Sequence, residues 1–353
     1  MFNLDFFKNK KILITGHTGF KGSWLSKILI DSGALVTGYS LKPKTSPNLF
    51  EILTLEKKMN SIIGDVRNFG SVRKCIKETK PEIVIHLAAQ PIVRESYKNP
   101  HYTYETNVMG TVNILESIRV VDSVFSFLNV TTDKVYLNNE FGNPFSEVDP
   151  LDGYDPYSNS KSCSELVTHS YNNSFFSKLN IPISTARSGN VIGGGDFSPD
   201  RIIPDCIRAA KNNEKILVRN PNSTRPYQHV LEPLFVYLLI IQKQSENIEY
   251  AGYYNVGPDE ENCLSTRDLV ELFCELWGEG LSWNFNLQEG PHEAGLLSLD
   301  CNKLKKKFNW KPNWGVSIAL EKTIEWAKTF YANGEISMLM ENQIDEYMNI
   351  FKN

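Results

Sequence analysis

The stretch that most restricts what this chain can become lies near its start. The apolar run Lys11-Ile12-Leu13-Ile14-Thr15 passes directly into Gly16-His17-Thr18-Gly19-Phe20-Lys21-Gly22, and a helical stretch from Ser23 to Ser32 follows. Glycine carries no Cβ, so it permits a tight turn and lets backbone N–H groups come close to a ligand. The start of the helix adds favourable partial charge for an anion. Strand, G-x-x-G-x-x-G turn and helix together predict the first βα unit of a dinucleotide-binding sheet, with a pyrophosphate over the turn. Without the flanking elements the same residues would be only a glycine-rich turn. Gly16, Thr18, Gly19, Phe20 and Gly22 are therefore expected to bind the cofactor.

The following elements extend that sheet. Leu35 to Tyr39 reads as the second strand, followed by Ser40-Leu41-Lys42. An acid here would take the ribose hydroxyls of NAD, and an arginine the 2′-phosphate of NADP. Neither is present and Lys42 is equivocal, so these residues leave both cofactors open. Ser61 to Val66 is a further short strand, with Asp65 either accepting from an adenine amine or holding a turn, and Val66 beside it. Pro81 to Ala89 reads as a buried strand ending in Leu87-Ala88-Ala89, side chains small enough for backbone to pass close to a cofactor. His86 within it is expected to be a core histidine. Gln90 to Tyr97 is expected to be a loop at the substrate edge of the sheet, offering Gln90, Arg94 and Ser96. A long helix is expected from Thr106 to about Arg119.

The chemistry is concentrated between Val130 and Lys161. Val124 to Val130 is a plausible buried strand that leaves Thr132 and Asp133 at its carboxyl end, the edge where ligands bind in open parallel sheets. From Ser158 a helix is expected, on which Tyr157 and Lys161, four residues apart, share a face. A phenol with an ordinary pKa of about 10 is a poor base near neutrality. An ammonium one turn away, helped by an oxidised nicotinamide, is expected to favour the phenolate. Tyr157 would then take a proton from a substrate hydroxyl that Thr132 holds in place.

Alternation of strand and helix through roughly the first 190 residues means a doubly wound parallel α/β sheet. Ile183 to Arg187 is its next strand, and the glycine cluster Gly189 to Asp196 reads as a hinge out of the cofactor domain. Beyond it Arg201, Arg208, Arg219 and Arg225 sit among prolines; each is either a diphosphate clamp or a solvated surface residue, with Arg219 and Arg225 the better pair. Gln228-His229-Val230 and Leu234 to Ile241 read as a helix returning to the sheet, and Tyr253 to Gly257 as another strand. Helices over Thr266–Gly278, Ser317–Ala332 and Ile336–Ile350 suggest a smaller mixed α/β C-terminal lobe. The expected division is residues 1–188 with a return segment at about 229–257 for the Rossmann domain, and 189–228 with 258–353 for the substrate lobe.

Composition narrows the function classes. The chain has 353 residues, 41% hydrophobic and 22% charged, with a net charge of −4, which gives no bias towards nucleic acid or anionic membrane. No apolar run approaches the roughly 20 residues that span a bilayer. The start, MFNLDFFKNKK, lacks the ordered regions of a signal peptide. Six scattered cysteines without a C-x-x-C pair suit a reduced cytoplasmic protein with no metal site or disulfide.

With the glycine turn, Thr132, Tyr157 and Lys161 in place, the chain resembles the extended short-chain dehydrogenase/reductases that act on nucleotide sugars, over essentially its whole length. Several strings look like the CDP-glucose 4,6-dehydratase branch: GHTGFKGSWL at 16–25, QPIVRESY at 90–97, TTDKVY at 131–136, DPYSNSKS at 155–162, GNVIGGGD at 189–196 and RPYQHVLEPL at 225–234. Lys134 stands where most related dehydratases carry glutamate. The chain departs from the branch pattern at Glu140 to Phe145, Asp152 and Tyr227.

The resemblance implies NAD as cofactor, CDP-glucose as the favoured substrate and a homodimer or homotetramer. It implies that Thr132, Tyr157 and Lys161 serve oxidation at C4, with Asp133 as acid and Lys134 as base for loss of water across C5 and C6. Lys134 could instead only position substrate, leaving Glu140 and Tyr136 for proton traffic. It also implies substrate contacts from Gln90, Arg94, Ser96, Asn190, Arg201, Arg219, Arg225, Gln228 and His229, and cofactor contacts that include Ser40, Asp65, Val66, Leu87, Ala88, Ala89, Tyr157 and Lys161. Two other readings stand beside it: a nucleotide-sugar 4-oxidase or epimerase, or dehydratase for another nucleotide, on the same scaffold, and a cofactor-binding protein without turnover.

Overall fold

The computed structural model describes residues 2–138, 143–285 and 297–351. In chain order the strands are β1 (Lys11–Thr15), β2 (Leu35–Ser40), β3 (Asn60–Ile63), β4 (Ile83–His86), β5 (Ser126–Thr132) and β6 (Ile183–Ser188). Then come β7 (Asn190–Ile192), β8 (Ile216–Val218), β9 (Thr224–His229), β10 (Tyr253–Val256), β11 (Cys263–Ser265) and β12 (Trp283–Phe285). A seven-stranded sheet runs in the order β10-β6-β5-β4-β1-β2-β3, and every pairing in it is parallel. The chain reverses its direction of travel across the sheet between β1 and β4. Such a reversal opens a crevice at the carboxyl ends of the strands.

The unbroken apolar runs follow from covering both faces of this sheet. Ile12 and Ile14, Ile83 and Ile85, and Leu128 and Val130 pack into one core with the helices Phe20–Asp31 and Leu231–Glu246. Leu13, Val84 and Phe127 point the other way, into a second core with the helices Phe69–Thr79 and Gly110–Ile118. Two smaller sheets, β11-β9-β7 and β12-β8, stand outside the main one, around a third core with the helices Ile202–Lys211, Thr266–Trp277 and Val316–Tyr331.

Three local expectations differ from what is observed. Val93–Lys98, inside the expected loop, is a short helix. Gln228 and His229 belong to β9, and the helix begins only at Leu231. Pro226 lies in that strand opposite Cys263 of β11, while β7 pairs with the strand only from Tyr227 onward. The segment read as a hinge contains β7. The expected helix after Thr106 is continuous with a π-helical turn at Glu105–Met109, where Asn107 turns inward.

Candidate functional site

A cavity of about 720 Å³ lies along the carboxyl edge of the sheet, from the glycine turn to the small sheets. At one end Gly16 has φ +80°, and a Cβ there would lie 2.9 Å from the Ala88 nitrogen. A Cβ on Gly22 would lie 2.1 Å from the Gly16 carbonyl oxygen. No side chain caps the helix that starts at Phe20, so its first N–H groups are left for an anion. Thr18 donates to the Leu41 carbonyl at 2.8 Å and lies 2.9 Å from the Ser40 hydroxyl, which fixes the end of β2 against the turn. Gly16, Thr18, Gly19, Phe20, Gly22 and Ser40 line the cavity, as do Asp65, Val66, Leu87, Ala88 and Ala89. Thr106 also lines it, buried and with an unpartnered hydroxyl oxygen. A close-approach turn, an open helix end and an orphaned hydroxyl fit a dinucleotide. Asp65 is held by Arg67, with a shortest contact of 2.6 Å, and its carboxyl is lowered by that guanidinium against the effect of burial.

The middle of the cavity carries the reactive groups. β5 ends at Thr132, and Asp155 starts the helix Pro156–Tyr171 by accepting from the Tyr157 and Ser158 N–H groups at 3.0 Å each. Proline at the first helical position suits that start. Tyr157 thus sits in the first helical turn, and it lines the cavity together with Thr132. Burial pushes this phenol up to about 12, opposed most by the Thr132 hydroxyl and the Arg201 guanidinium. The expected help from Lys161 and an oxidised nicotinamide therefore has to act against this burial. Lys161 donates to the Val130 carbonyl at 3.1 Å, and burial lowers its ammonium to about 8 against the pull of Glu165.

Lys21, which the sequence reading passed over, reaches the same place. It donates to the Ser188 hydroxyl at 2.9 Å, and burial with the nearby Arg201 and Lys161 cations lowers it to about 7. A lysine inside a glycine turn that faces the crevice was the signal available for it.

Asp133 is fully buried and lines the cavity. Its Oδ1 accepts from the Thr132 hydroxyl at 2.9 Å and from Lys134 Nζ at 2.8 Å, while Oδ2 has no partner. Lys134 also donates to Asn190 Oδ1 at 3.2 Å. Tyr136, the reserve candidate for proton traffic, lines the cavity with its ring but commits its hydroxyl to Arg187 and Asn255. Glu140, the other reserve, lies outside the described residues.

Arg94, Asn190, Arg201, Arg219 and Arg225 also line the cavity. Arg219 holds Asp200 at 2.8 Å and Arg201 holds Asp196 at 3.1 Å. Tyr227, buried, is a further lining residue.

Four expected substrate residues do not reach the cavity. Gln90 bonds to Ile92 and Thr103, and the Ser96 hydroxyl donates to the Val93 carbonyl at 2.6 Å. Gln228 donates to the Val256 carbonyl at 3.0 Å. His229 is buried between Trp24 and Trp314, and burial lowers it to about 3. Strand alternation in β9 sends Arg225 and Tyr227 to the cavity and Gln228 away from it, which the helical reading of that segment hid.

A family model described as GDP-mannose 4,6 dehydratase matches residues 13–323. The chain belongs to that family. It is 44% identical to a CDP-glucose 4,6-dehydratase of Salmonella typhimurium across 99% of both chains. A probable dTDP-glucose 4,6-dehydratase of Sinorhizobium fredii is 28% identical over 90% of this chain and 92% of its own. Among solved structures, a UDP-glucose 4-epimerase of Thermotoga maritima with UDP-glucose has a TM-score of 0.80 at 20% identity, covering 91% of this chain and 99% of that one. A dTDP-glucose 4,6-dehydratase of Bacillus anthracis in complex with NAD has a TM-score of 0.76 at 21% identity, covering 92% and 98%. At these identities the two structures speak for the fold, a Rossmann-like parallel sheet with smaller sheets attached.

Proposed function

We propose that this chain is an NAD-dependent CDP-glucose 4,6-dehydratase, a lyase that converts CDP-glucose to CDP-4-keto-6-deoxyglucose. The observation that carries the nucleobase and sugar is the 44% identity over nearly all of both chains with the Salmonella enzyme of that name. The glycine turn, Tyr157, Lys161 and the Asp133–Lys134 pair on one cavity supply the groups such a reaction requires. Bound NAD would supply the reversible acceptor that takes a hydride from C4 and returns it to C6.

The chain's own residues then handle protons. Tyr157, beside Thr132 on the cavity, removes the proton of the 4-hydroxyl, with Lys161 and its place in the first turn of the helix favouring the phenolate. The 4-ketone acidifies C5. Lys134 takes the C5 proton, Asp133 protonates the departing 6-hydroxyl so that it leaves as water, and a proton returns to C5 as C6 is reduced. Net, one water is lost, C4 is oxidised, C6 is reduced and the cofactor ends as it began.

An ammonium on a carboxylate is the wrong starting pair for these two roles. Transfer of the one shared proton along the 2.8 Å contact from Lys134 to Asp133 converts it to a neutral amine and a carboxylic acid.

Arg94, Arg201, Arg219 and Arg225 are the proposed diphosphate contacts, and residues 189–228 with 258–353 the proposed substrate lobe. The same reading takes the protein to be a cytoplasmic homodimer or homotetramer making deoxy-sugar precursors for lipopolysaccharide O-antigen. Among the described residues no helix is long and apolar enough to cross a membrane. The test is turnover of CDP-, dTDP-, GDP- and UDP-glucose by the purified protein. CDP-glucose should give the highest kcat/KM, and a preference for another nucleotide would overturn the assignment of the base.

A further inference from the structure

Two residues beyond Lys134, Tyr136 lines the cavity, while the partners of its hydroxyl, Arg187 and Asn255, do not. The ring stacks on Phe145, another cavity residue, with centroids 5.0 Å apart and planes 6° from parallel. The hydroxyl accepts from Arg187 Nη1 at 2.8 Å and donates to Asn255 Oδ1 at 2.5 Å. Asn255 in turn donates to the Phe145 carbonyl at 2.7 Å and to the Asp300 carbonyl at 3.1 Å. The two rings of this wall are thus held from behind through one amide.

Arg187 is itself anchored. Its Nε and Nη2 donate to the two oxygens of Glu165 at 3.1 and 3.0 Å, with the two side chains 3% and 1% exposed. Glu165 also accepts from Thr185 at 2.7 Å and from Thr131. Glu165 lies on the same helix as Tyr157 and Lys161, eight and four residues further on. A continuous buried chain of bonds therefore joins the helix that carries Tyr157 to the aromatic wall beside Asp133 and Lys134. A buried ion pair is a poor source of stability, since apolar residues of similar size commonly do as well. What it supplies here is direction: the planar guanidinium bonds Glu165 with two nitrogens and Tyr136 with the third, so the ring's position is tied to that of the helix.

We propose that Tyr136, braced by the Glu165–Arg187 pair, is a positioning residue for the elimination half of the reaction. The inference rests on the dehydratase reading above. A hexose oxidised at C4, with Tyr157 as base and NAD as hydride acceptor, has to present C5 and C6 to Lys134 and Asp133 without leaving the site. The braced wall sets how far the sugar ring can shift between the two operations. Loosening it should leave C4 oxidation largely intact and slow the loss of water.

The experiment compares wild type, Tyr136→Phe and Arg187→Lys as full-length protein with NAD and CDP-glucose. Tyr136→Phe keeps the ring and removes only the hydroxyl that the brace holds. Its kcat for dehydration should fall about tenfold, with KM within about twofold, since the loss belongs to a later step and not to binding. Reduced nicotinamide, followed by its near-ultraviolet absorbance, should accumulate at steady state because oxidation continues ahead of elimination. Arg187→Lys, which keeps the charge and loses the fork, should show the same accumulation.

A purely stabilising brace would lower the Tm and leave that partition unchanged. Wild-type kcat in Tyr136→Phe, or a fall in kcat without accumulation of reduced nicotinamide, would overturn the proposal. A wild-type protein that does not dehydrate CDP-glucose would refute the functional reading beneath it instead.

Discussion

At the scale of single residues, the pairing of Tyr157 with Lys161 was legible because helical spacing alone puts them on one face. The glycines were legible because no other residue type permits so close an approach, a Cβ on Gly22 falling 2.1 Å from the Gly16 carbonyl oxygen. Gly22→Ala should therefore spread the turn and weaken NAD binding at least about tenfold, about 1.4 kcal/mol by titration. Unchanged affinity would mean that the ligand does not use this turn.

Asp155 is the residue that aims Tyr157, through two backbone N–H groups and a 2.6 Å bond from the Ser158 hydroxyl. Asp155→Ala should cost about 1 kcal/mol in denaturant unfolding, the usual loss for an N-cap, and lower kcat as well. Loss of stability with full activity would detach the cap from the chemistry. Lys134→Ala should spare oxidation at C4 and block elimination; normal elimination would remove Lys134 from the mechanism.

The direction of the Tyr157 shift could not be read from spacing. It depends on how completely the fold removes water from the phenol, which no local pattern encodes. Gln90, Ser96, Gln228 and His229, expected at the substrate, are not among the residues that line the cavity, for a related reason. Polar residues near a strand end point either into the crevice or into the protein, and only packing decides which.

At the scale of elements, the parallel strands were readable because both their faces are covered, and Ile12, Leu13 and Ile14 divide between two cores. The strand β9 was not, because a proline inside it and a long apolar helix just after it gave a helical reading. That helix, Leu231–Glu246, carries Glu232 almost wholly buried. Its carboxylate accepts from the Asn313 and Trp314 N–H groups at 2.9 and 2.6 Å and from the Tyr347 hydroxyl at 2.8 Å, tying the last two helices to the core.

Burial raises this carboxyl from 4.5 to about 7, so the folded chain holds a proton that the unfolded chain has already released over that interval. The stability linked to that proton is complete below about pH 4.5 and is lost as pH rises through about 7. Glu232→Gln keeps an acceptor for the two N–H groups and removes the ionisation. Relative to wild type it should gain roughly 2–3 kcal/mol between pH 5 and pH 8 in denaturant unfolding. A difference that stays flat with pH would contradict this.

At the scale of the whole molecule, the sheet order and the crevice at the β1–β4 reversal make one long cavity, lined both by the glycine turn and by Arg94, Arg201, Arg219 and Arg225. The sequence made that crevice visible through its first βα unit. It could not make visible the wall of Tyr136 and Phe145 or its brace, because these join residues as far apart as Tyr136 and Asn255, on no shared element. Nor could it show that Arg201 and Arg219 already hold carboxylates before any diphosphate arrives.

The central claim is that one cavity both oxidises a hexose at C4 and eliminates water from it, with no net change in the cofactor. The most direct measurement follows deuterium placed at C4 of CDP-glucose through one round of turnover. The account predicts that the label appears at C6 of a 4-keto-6-deoxy product. Label retained at C4 of an epimerised sugar, or its loss into free reduced cofactor, would contradict it.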